Sequence, residues 1–353
     1  MKPHNEISIQ RTGSSLLHTV DWHQLEFGKH HADHMFLADY SAGQWHSARI
    51  KPFGDISLSP TTLALHYGQT IFEGMKALRM HDGRVNIFRP TRHAERMSRS
   101  AERMCMTMLP QDLFLDALQA LVDVDRDWVP KQPGGALYIR PFIIASEARM
   151  GVKISEQYAF IMVSGPVGAL YHQPLRVKVE TEYVRAAKGG TGYAKCGGNY
   201  GAAFYPTQKA RQQGYDQVLW TDSRENKYIE ESGTMNVMFV IGGKLVTPPL
   251  SDSILDGVTR DSFLTLARAA GIRTEERPVS IDELREGLQN GQVTEAFGVG
   301  TAAVTTSIKT IGISGVDYIL PAADQGIAAR LKMDFEDIRT GKSPDLHGWN
   351  WIV

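Results

Sequence analysis

Between Asp112 and Val122 the apolar residues Phe114, Ala117, Leu118, Leu121 and Val122 recur at spacings of three and four. This is one stripe of an amphipathic helix, with Asp112 placed to cap its start. Ala136–Ala145 and Tyr158–Ser164 are instead dense in aromatic and β-branched residues and bounded by Pro, Gly and Glu, which predicts strands. In the first, a period of two puts Tyr138 and Arg140 on one face. Leu175–Glu180 alternates, with Leu175, Val177 and Val179 predicted inward and Arg176, Lys178 and Glu180 outward. A glycine-dense loop at Gly189–Gly201 then opens a helix that ends at Gly214. Further strands are predicted over Asp216–Asp222, Tyr228–Ile229 and Asn236–Val246, with turns at Ser223–Asn226 and Gly242–Gly243. A helix from Thr259 to Ala270 stops at Gly271, and another starts at Ser280, with Glu283 at capping-box spacing. A strand at Val293–Phe297 precedes Gly298–Ala303, and a last helix runs through Ile327–Ile338. The first stretch, up to about residue 60, is polar and His-rich without sustained periodicity, which predicts short strands and loops.

Strands outnumber simple βαβ units, so the fold class is mixed α/β. At 353 residues about two domains are expected. The pattern lapses into Gly, Pro, His and Gln over Gly165–Pro174. The boundary is therefore drawn as a smaller domain over residues 1–170, a link at 171–175 and a larger domain over 176–353. With 42% hydrophobic and 22% charged residues, the chain can bury a core in each.

Lys and Arg number 38 against 39 Asp and Glu, a net charge of −1, so no basic excess exists to hold a nucleic acid or an anionic membrane by bulk electrostatics. Apolar runs such as Tyr158–Val163 fall far short of the ~20 residues that span a bilayer. Met1–Ser14 contains no apolar secretory core, and only Cys105 and Cys196 are present, so a reducing cytoplasmic setting is expected. The partners expected are small molecules.

Glycine fills six of the fourteen positions from Lys188 to Gly201, around two lysines. Such a backbone can press against a flat ligand, and a lysine within it can condense with an aldehyde. The competing reading is a solvated lysine in a surface loop. Spacing alone does not separate Lys188 from Lys195, although Lys195 stands just before a helix with glycines on its C-terminal side. Gly298–Ala303 follows a strand and matches a loosened dinucleotide fingerprint. The β-branched, Thr-rich run Val304–Ile311 that follows reads as a strand where that fold needs a helix, so nicotinamide binding is set aside. His30, His31, Asp33 and His34 have the residue types of a metal cluster but sit too close in sequence to close a tetrahedron, and no metal is expected. Cys196 should point away from whatever Lys195 faces.

Lys195-Cys-Gly-Gly-Asn-Tyr-Gly201 resembles the lysine motif of the branched-chain amino acid aminotransferases, fold-type IV enzymes that use pyridoxal 5′-phosphate. Seven further motifs of that family appear in the family's order: His66–Met75, Phe88-Arg-Pro, Arg96-Met, Tyr138-Ile-Arg-Pro141, Glu231-Ser-Gly-Thr-Met-Asn236, Leu255–Asp261 and Gly300-Thr-Ala302. The likeness runs from about Gln24 to the Trp-containing tail. It implies a small N-terminal two-layer α/β sandwich, a larger C-terminal α/β pseudo-barrel and a homodimer. It also implies a Schiff-base link at Lys195, which would then move the substrate's α-proton. Glu231, rather than Glu230, would sit beside the pyridine nitrogen, and Tyr200 would bond the phenolic oxygen. Arg96, the amides at Val258-Thr259 and Thr301 would hold the phosphate, although arginines at helical spacing, such as Arg92, Arg96, Arg99 and Arg103, are more often solvated. Substrate choice would fall to Tyr67, Phe72, Tyr138, Arg140, Thr234 and Ala302, with Arg140 for the distal carboxylate of glutamate. The reaction implied is reversible transfer of the amino group of L-Leu, L-Ile or L-Val to 2-oxoglutarate. A D-amino-acid aminotransferase or aminodeoxychorismate lyase is the same-fold alternative, and a non-catalytic binding protein is the alternative of another class. Mammalian relatives carry a C-x-x-C pair where Ala303 and Thr306 stand here, so redox control by that pair is expected to be absent.

Overall fold

The structure, a computed structural model, describes residues 6–168 and 173–353. Part of the Gly165–Pro174 stretch, including the first two residues of the link at 171–175, lies outside the described residues. The chain forms two units: Met1–Leu170 with Ala194–Gly197 and Ile338–Val353, and Tyr171–Tyr193 with Gly198–Asp337.

The first unit contains strands β1 (Ser8–Ile9), β2 (His34–Ser41), β3 (Gln44–Pro52), β4 (Thr70–Phe72), β5 (Met75–Arg79), β6 (Val85–Phe88), β7 (Ala136–Ala145) and β8 (Tyr158–Val167). Its helices are α1 (Leu63–Tyr67), α2 (Pro90–Arg103) and α3 (Gln111–Val124). The stripe Phe114, Ala117, Leu118, Leu121 and Val122 is buried as its period requires, with Phe114 stacked 6.1 Å from Phe160 of the sheet. Asp112 is not the cap: Pro110 takes that place in extended backbone, its carbonyl accepts from Phe114 N–H, and the Asp112 carboxylate accepts from Leu113 N–H instead.

The second unit holds β9 (Leu175–Glu180), α4 (Gly197–Gly201, its first residue in the other unit), α5 (Phe204–Gln212), β10 (Gln217–Thr221), β11 (Ile229–Ser232), β12 (Met235–Ile241) and β13 (Lys244–Thr247). It continues through α6 (Val258–Ala269), β14 (Thr274–Glu276), α7 (Ile281–Gln289), β15 (Val293–Gly300), β16 (Val304–Ile313), β17 (Val316–Ile319) and α8 (Ile327–Thr340, its residues from Ile338 on in the other unit). The pairings β11–β10–β9–β16–β15–β12 return to β11, so the sheet closes into a ring and leaves those strands without open edges. Leu175, Val177 and Val179 face its core, but Glu180, expected outward, is only 3% exposed. The strand ends there, and the Glu180 carboxylate takes the N–H groups of Glu182 and Tyr183 as the chain turns. Gly242 and Gly243, with φ of +56° and +75°, make the tight turn from β12 to β13. Ser280 Oγ accepts from Glu283 N–H at 3.0 Å and caps α7.

The chain then returns to the first unit through its last strand, β18 (Asn350–Ile352), antiparallel to β6 at the sheet edge. The sheet order is β1-β3-β2-β8-β7-β5-β6-β18, with β4 also on β7. Fully buried Asn86 ties this end down: its Nδ2 donates to Arg339 O and Asn350 Oδ1, and its Oδ1 accepts from Trp351 N–H. No helix among the described residues is long and apolar enough to cross a membrane.

Candidate active site

Lys195 reaches the first unit as part of a four-residue strap whose flanking residues belong to the second. Its C=O accepts from Phe72 N–H at 3.0 Å, its N–H donates to Ser100 Oγ at 2.9 Å, and Cys196 makes a bridge to Ile71. Side chains alternate on such an extended strap. Cys196 therefore sinks into the apolar core, 2% exposed, while Lys195 Nζ stands 4.8 Å from the centre of the Phe72 ring. Lys188, by contrast, is exposed. The loop that carries Lys195 is clasped at its base, where Thr191 Oγ1 donates to Asn199 Oδ1 and Asn199 Nδ2 donates to Thr191 O, both at 2.7 Å.

Phe72, Glu73 and Gly74 organise the side chains around it. The Arg140 guanidinium lies 4.7 Å from the Phe72 ring centre, and its Nη2 donates to Tyr138 Oη at 2.8 Å, as their shared strand face requires. Arg140 Nε is buried without a hydrogen-bond partner. Gly74 has no alternative, because a Cβ there would collide with the Tyr138 hydroxyl. Glu73, with no solvent exposure, receives Arg96 Nε on one oxygen and Arg96 Nη2 on the other, both at 2.7 Å, and His93 Nδ1 at 2.8 Å. Burial alone would raise the Glu73 pKa, but the Arg96 charge and the hydrogen bonds from Arg96 and His93 outweigh it and hold the carboxyl well below the usual range. Burial pushes the His93 pKa down. The paired edge of Arg96, which the sequence offers to a phosphate, is therefore turned to Glu73. Tyr67 ends α1 at 44% exposure, beside His66.

In the second unit the Glu231 carboxylate accepts from Leu255 N–H at 2.8 Å and pairs with Arg185 Nε at 3.1 Å, and Asn236 Nδ2 lies at 3.5 Å. Arg185 Nη2 also donates to Gly192 O and Ser253 O, so one guanidinium joins Glu231 to the glycine loop and to the segment before α6. Helix α6 starts at Gly257, whose missing Cβ makes room for Asn236 Oδ1 and which supplies no side-chain acceptor to the first turn. Val258 and Thr259 are buried there. Thr301 and Ala302 form the turn from β15 to β16, while exposed Thr234 sits in the β11–β12 turn. Met235, next to Thr234, packs against Gly300. Tyr200 lies half-buried in α4. Glu73, His93, Arg185 and Asn236 are the members of these clusters that sequence reasoning left without a role. Glu73 and Asn236 stand inside the quoted motifs, and Arg185 falls three residues before Lys188.

Glu230 points the other way and hydrogen-bonds Ser253 Oγ. Burial first, then the charges of Glu231 and Asp222, push its pKa up to about 7 against Ser253 and Arg185. The folded protein therefore keeps this proton where the unfolded chain has lost it, and stability falls as pH rises from ~4.5 to ~7. Glu230→Gln is expected to remove that loss, gaining roughly 2 kcal/mol over the wild type at pH 8 and nothing at pH 4.5. Thermal unfolding of both proteins across this range measures it, and parallel curves would refute it.

Val304–Ile313 is a strand, so no helix follows the Gly298 motif. Among the described residues no group of three or more His, Cys, Asp or Glu could hold a metal ion. His34 bonds Asp125 and Thr12, Asp33 accepts from Leu16 N–H, and His31 stacks on Phe53.

A family model described as amino-transferase class IV matches residues 70–311. Branched-chain-amino-acid transaminase 1 of Bacillus subtilis (strain 168) is 47% identical over 331 residues, covering 92% of this chain and 93% of its own. Among solved structures, the Escherichia coli branched-chain amino acid aminotransferase covers 90% of this chain and 98% of its own, at 26% identity and a TM-score of 0.74. The branched-chain amino acid aminotransferase from Thermobaculum terrenum, solved in its PLP form, is alike in fold, covering 90% and 97%, at 23% identity and a TM-score of 0.72.

Proposed function

Because the chain belongs to the amino-transferase class IV family, we propose that it is a pyridoxal 5′-phosphate-dependent branched-chain amino acid aminotransferase. It moves the amino group of L-Leu, L-Ile or L-Val to 2-oxoglutarate, reversibly, giving the branched 2-oxo acid and L-glutamate. The observation that carries this reading is the amine of Lys195 beside Phe72, the same ring that the Arg140 guanidinium covers. A reactive amine, an apolar wall and a carboxylate receptor then share one surface.

The residues fit the cofactor. The first turn of α6 at Val258 and Thr259, with glycine at its N-cap and the macrodipole behind it, suits a phosphate, with Thr301 as a further donor; Arg96, whose Nε and Nη2 bond Glu73, would serve it only through Nη1. Glu231 offers its carboxylate to the pyridine nitrogen, braced by Arg185 and Leu255 N–H, and Tyr200 its hydroxyl to the phenolic oxygen. When bound, the pyridoxal ring supplies an electron sink at the substrate's α-carbon. Lys195 Nζ would hold the cofactor's aldehyde, and it is the base that takes the substrate's α-proton and the acid that returns it.

The substrate pocket must accept an aliphatic side chain and a second carboxylate in turn. Phe72 suits the first, and the unpartnered Arg140 Nε suits the second, with Tyr138 holding the guanidinium through the adjacent Nη2. Tyr67, Thr234 and Ala302 complete the proposed substrate residues. The exposed Leu65, Tyr67, Met150 and Val152 lie on segments that Thr62 and Ala148 bridge together, which supports a homodimer through this apolar face.

A yellow protein whose visible band shifts on adding L-isoleucine and returns with 2-oxoglutarate is the expected result. A larger shift with D-alanine would select the D-specific alternative. Arg140→Met is expected to raise KM for 2-oxoglutarate about 10- to 100-fold while altering the L-isoleucine half-reaction less than about threefold. Equal losses with both substrates would remove Arg140 from distal-carboxylate recognition.

A further inference from the structure

Lys195 is fixed to the first unit through both of its main-chain polar groups. One of those bonds joins an element already tied to the chemistry. Ser100 lies on α2, one turn beyond Arg96, and Arg96 lies three residues beyond His93. Positions three and four apart share a helix face. Along that face, Glu73 locks His93 and Arg96, and the Ser100 hydroxyl, 1% exposed, accepts the Lys195 N–H. A helix-interior serine gains nothing for the helix over alanine. Its acceptor serves a residue 95 positions away.

We propose that Ser100 is a positioning residue for amino transfer: by holding the Lys195 main chain against α2, it sets the direction in which the lysine side chain leaves the strap and keeps Nζ over Phe72. The proposal rests on the reading of Lys195 as the reactive amine. The chain can rotate about the Lys195 backbone dihedrals once that N–H is released, and a long side chain converts a small backbone rotation into an ångström-scale displacement of its amine. Displacements of that size are costly for proton transfer.

The test uses the holoenzyme. Ser100→Ala removes the acceptor, Ser100→Thr keeps it, and Ser98→Ala on the same helix controls for changes in α2 itself. For Ser100→Ala the expected result is a kcat lowered about tenfold, a KM for L-isoleucine within about twofold of wild type and a Tm within about 3 °C. The pH midpoint of the visible band should shift as well. Ser100→Thr should recover most of the rate and Ser98→Ala should resemble the wild type. Unchanged kcat and midpoint in Ser100→Ala would overturn the proposal, as would a loss of kcat that tracks a fall in Tm, or a stable Ser100→Thr as slow as the alanine variant. Borohydride trapping and peptide mapping of the wild type keep the two readings apart. Label at Lys195 with no effect of Ser100→Ala defeats only this proposal, whereas label elsewhere defeats the assignment of the lysine.

Discussion

Lys195→Ala is expected to leave a folded protein that no longer turns over, with kcat down by about 10³-fold or more and no peptide labelled by borohydride. On the role proposed for Lys195 two losses combine: the amine that would anchor the aldehyde and the group that would shuttle the α-proton, the second alone worth roughly 10²–10⁴. The fold should barely notice. The Lys195 main-chain bonds to Ser100 and Phe72 survive the substitution, and the stacking of Nζ on Phe72 contributes only about 0.5–1 kcal/mol. Circular dichroism and thermal unfolding should therefore match the wild type while single-turnover absorbance with L-isoleucine is flat. Turnover within tenfold of wild type would remove Lys195 from the reaction.

The largest expected effect on stability lies at Glu73. Its carboxylate compensates the buried guanidinium of Arg96, which is 4% exposed, and takes a hydrogen bond from His93. Glu73→Gln keeps the shape but offers one acceptor in place of two, turns an amide N–H toward other donors and leaves a cation buried without its anion. Breaking such a pair from one side costs about 3–5 kcal/mol, a fall in Tm of about 10 °C. The double variant Glu73→Leu/Arg96→Met removes both charges and is expected to recover most of that stability, because it leaves no buried charge behind. Since Glu73 is held below the ordinary carboxylate range, its contribution is complete above the unfolded pKa near 4.5 and fades only as pH falls further toward the folded value. The variant and the wild type should therefore converge in strong acid. A Glu73→Gln protein that melts within about 2 °C of wild type at pH 7 would show the network to be dispensable.

Local chemistry was legible wherever one rule governed a segment. The α3 stripe follows from helical period, β7 from residue type and its flanking breakers, and Tyr138 beside Arg140 from strand alternation. What escaped is pairing between segments. Nothing in the spelling of the motifs says that the fork of Arg96 closes on Glu73, twenty-three residues earlier, or that Arg185 braces Glu231. Glu180 misled because a charged residue at a strand end can be satisfied by the turn after it, and Asp112 because a proline two residues earlier preset the entry to the helix. The fold class was read from the run of predicted elements, and the family from ordered motifs, which carry more information than any one periodicity. The comparisons with known proteins agree with that reading over most of the chain.

The placement of β18 at the edge of the first sheet, clamped by Asn86, bears on how this protein is made. A ribosome delivers the bulk of the first unit before the strap holding Lys195, and the closing edge strand emerges only after the whole of the second unit. The outer strand β6 thus waits, exposed to rival β-edges, until the second unit has been made and β18 follows it. The partners of Lys195 in that unit, Phe72 and Ser100, precede it in the chain, so the lysine environment does not wait for the strand that closes the sheet.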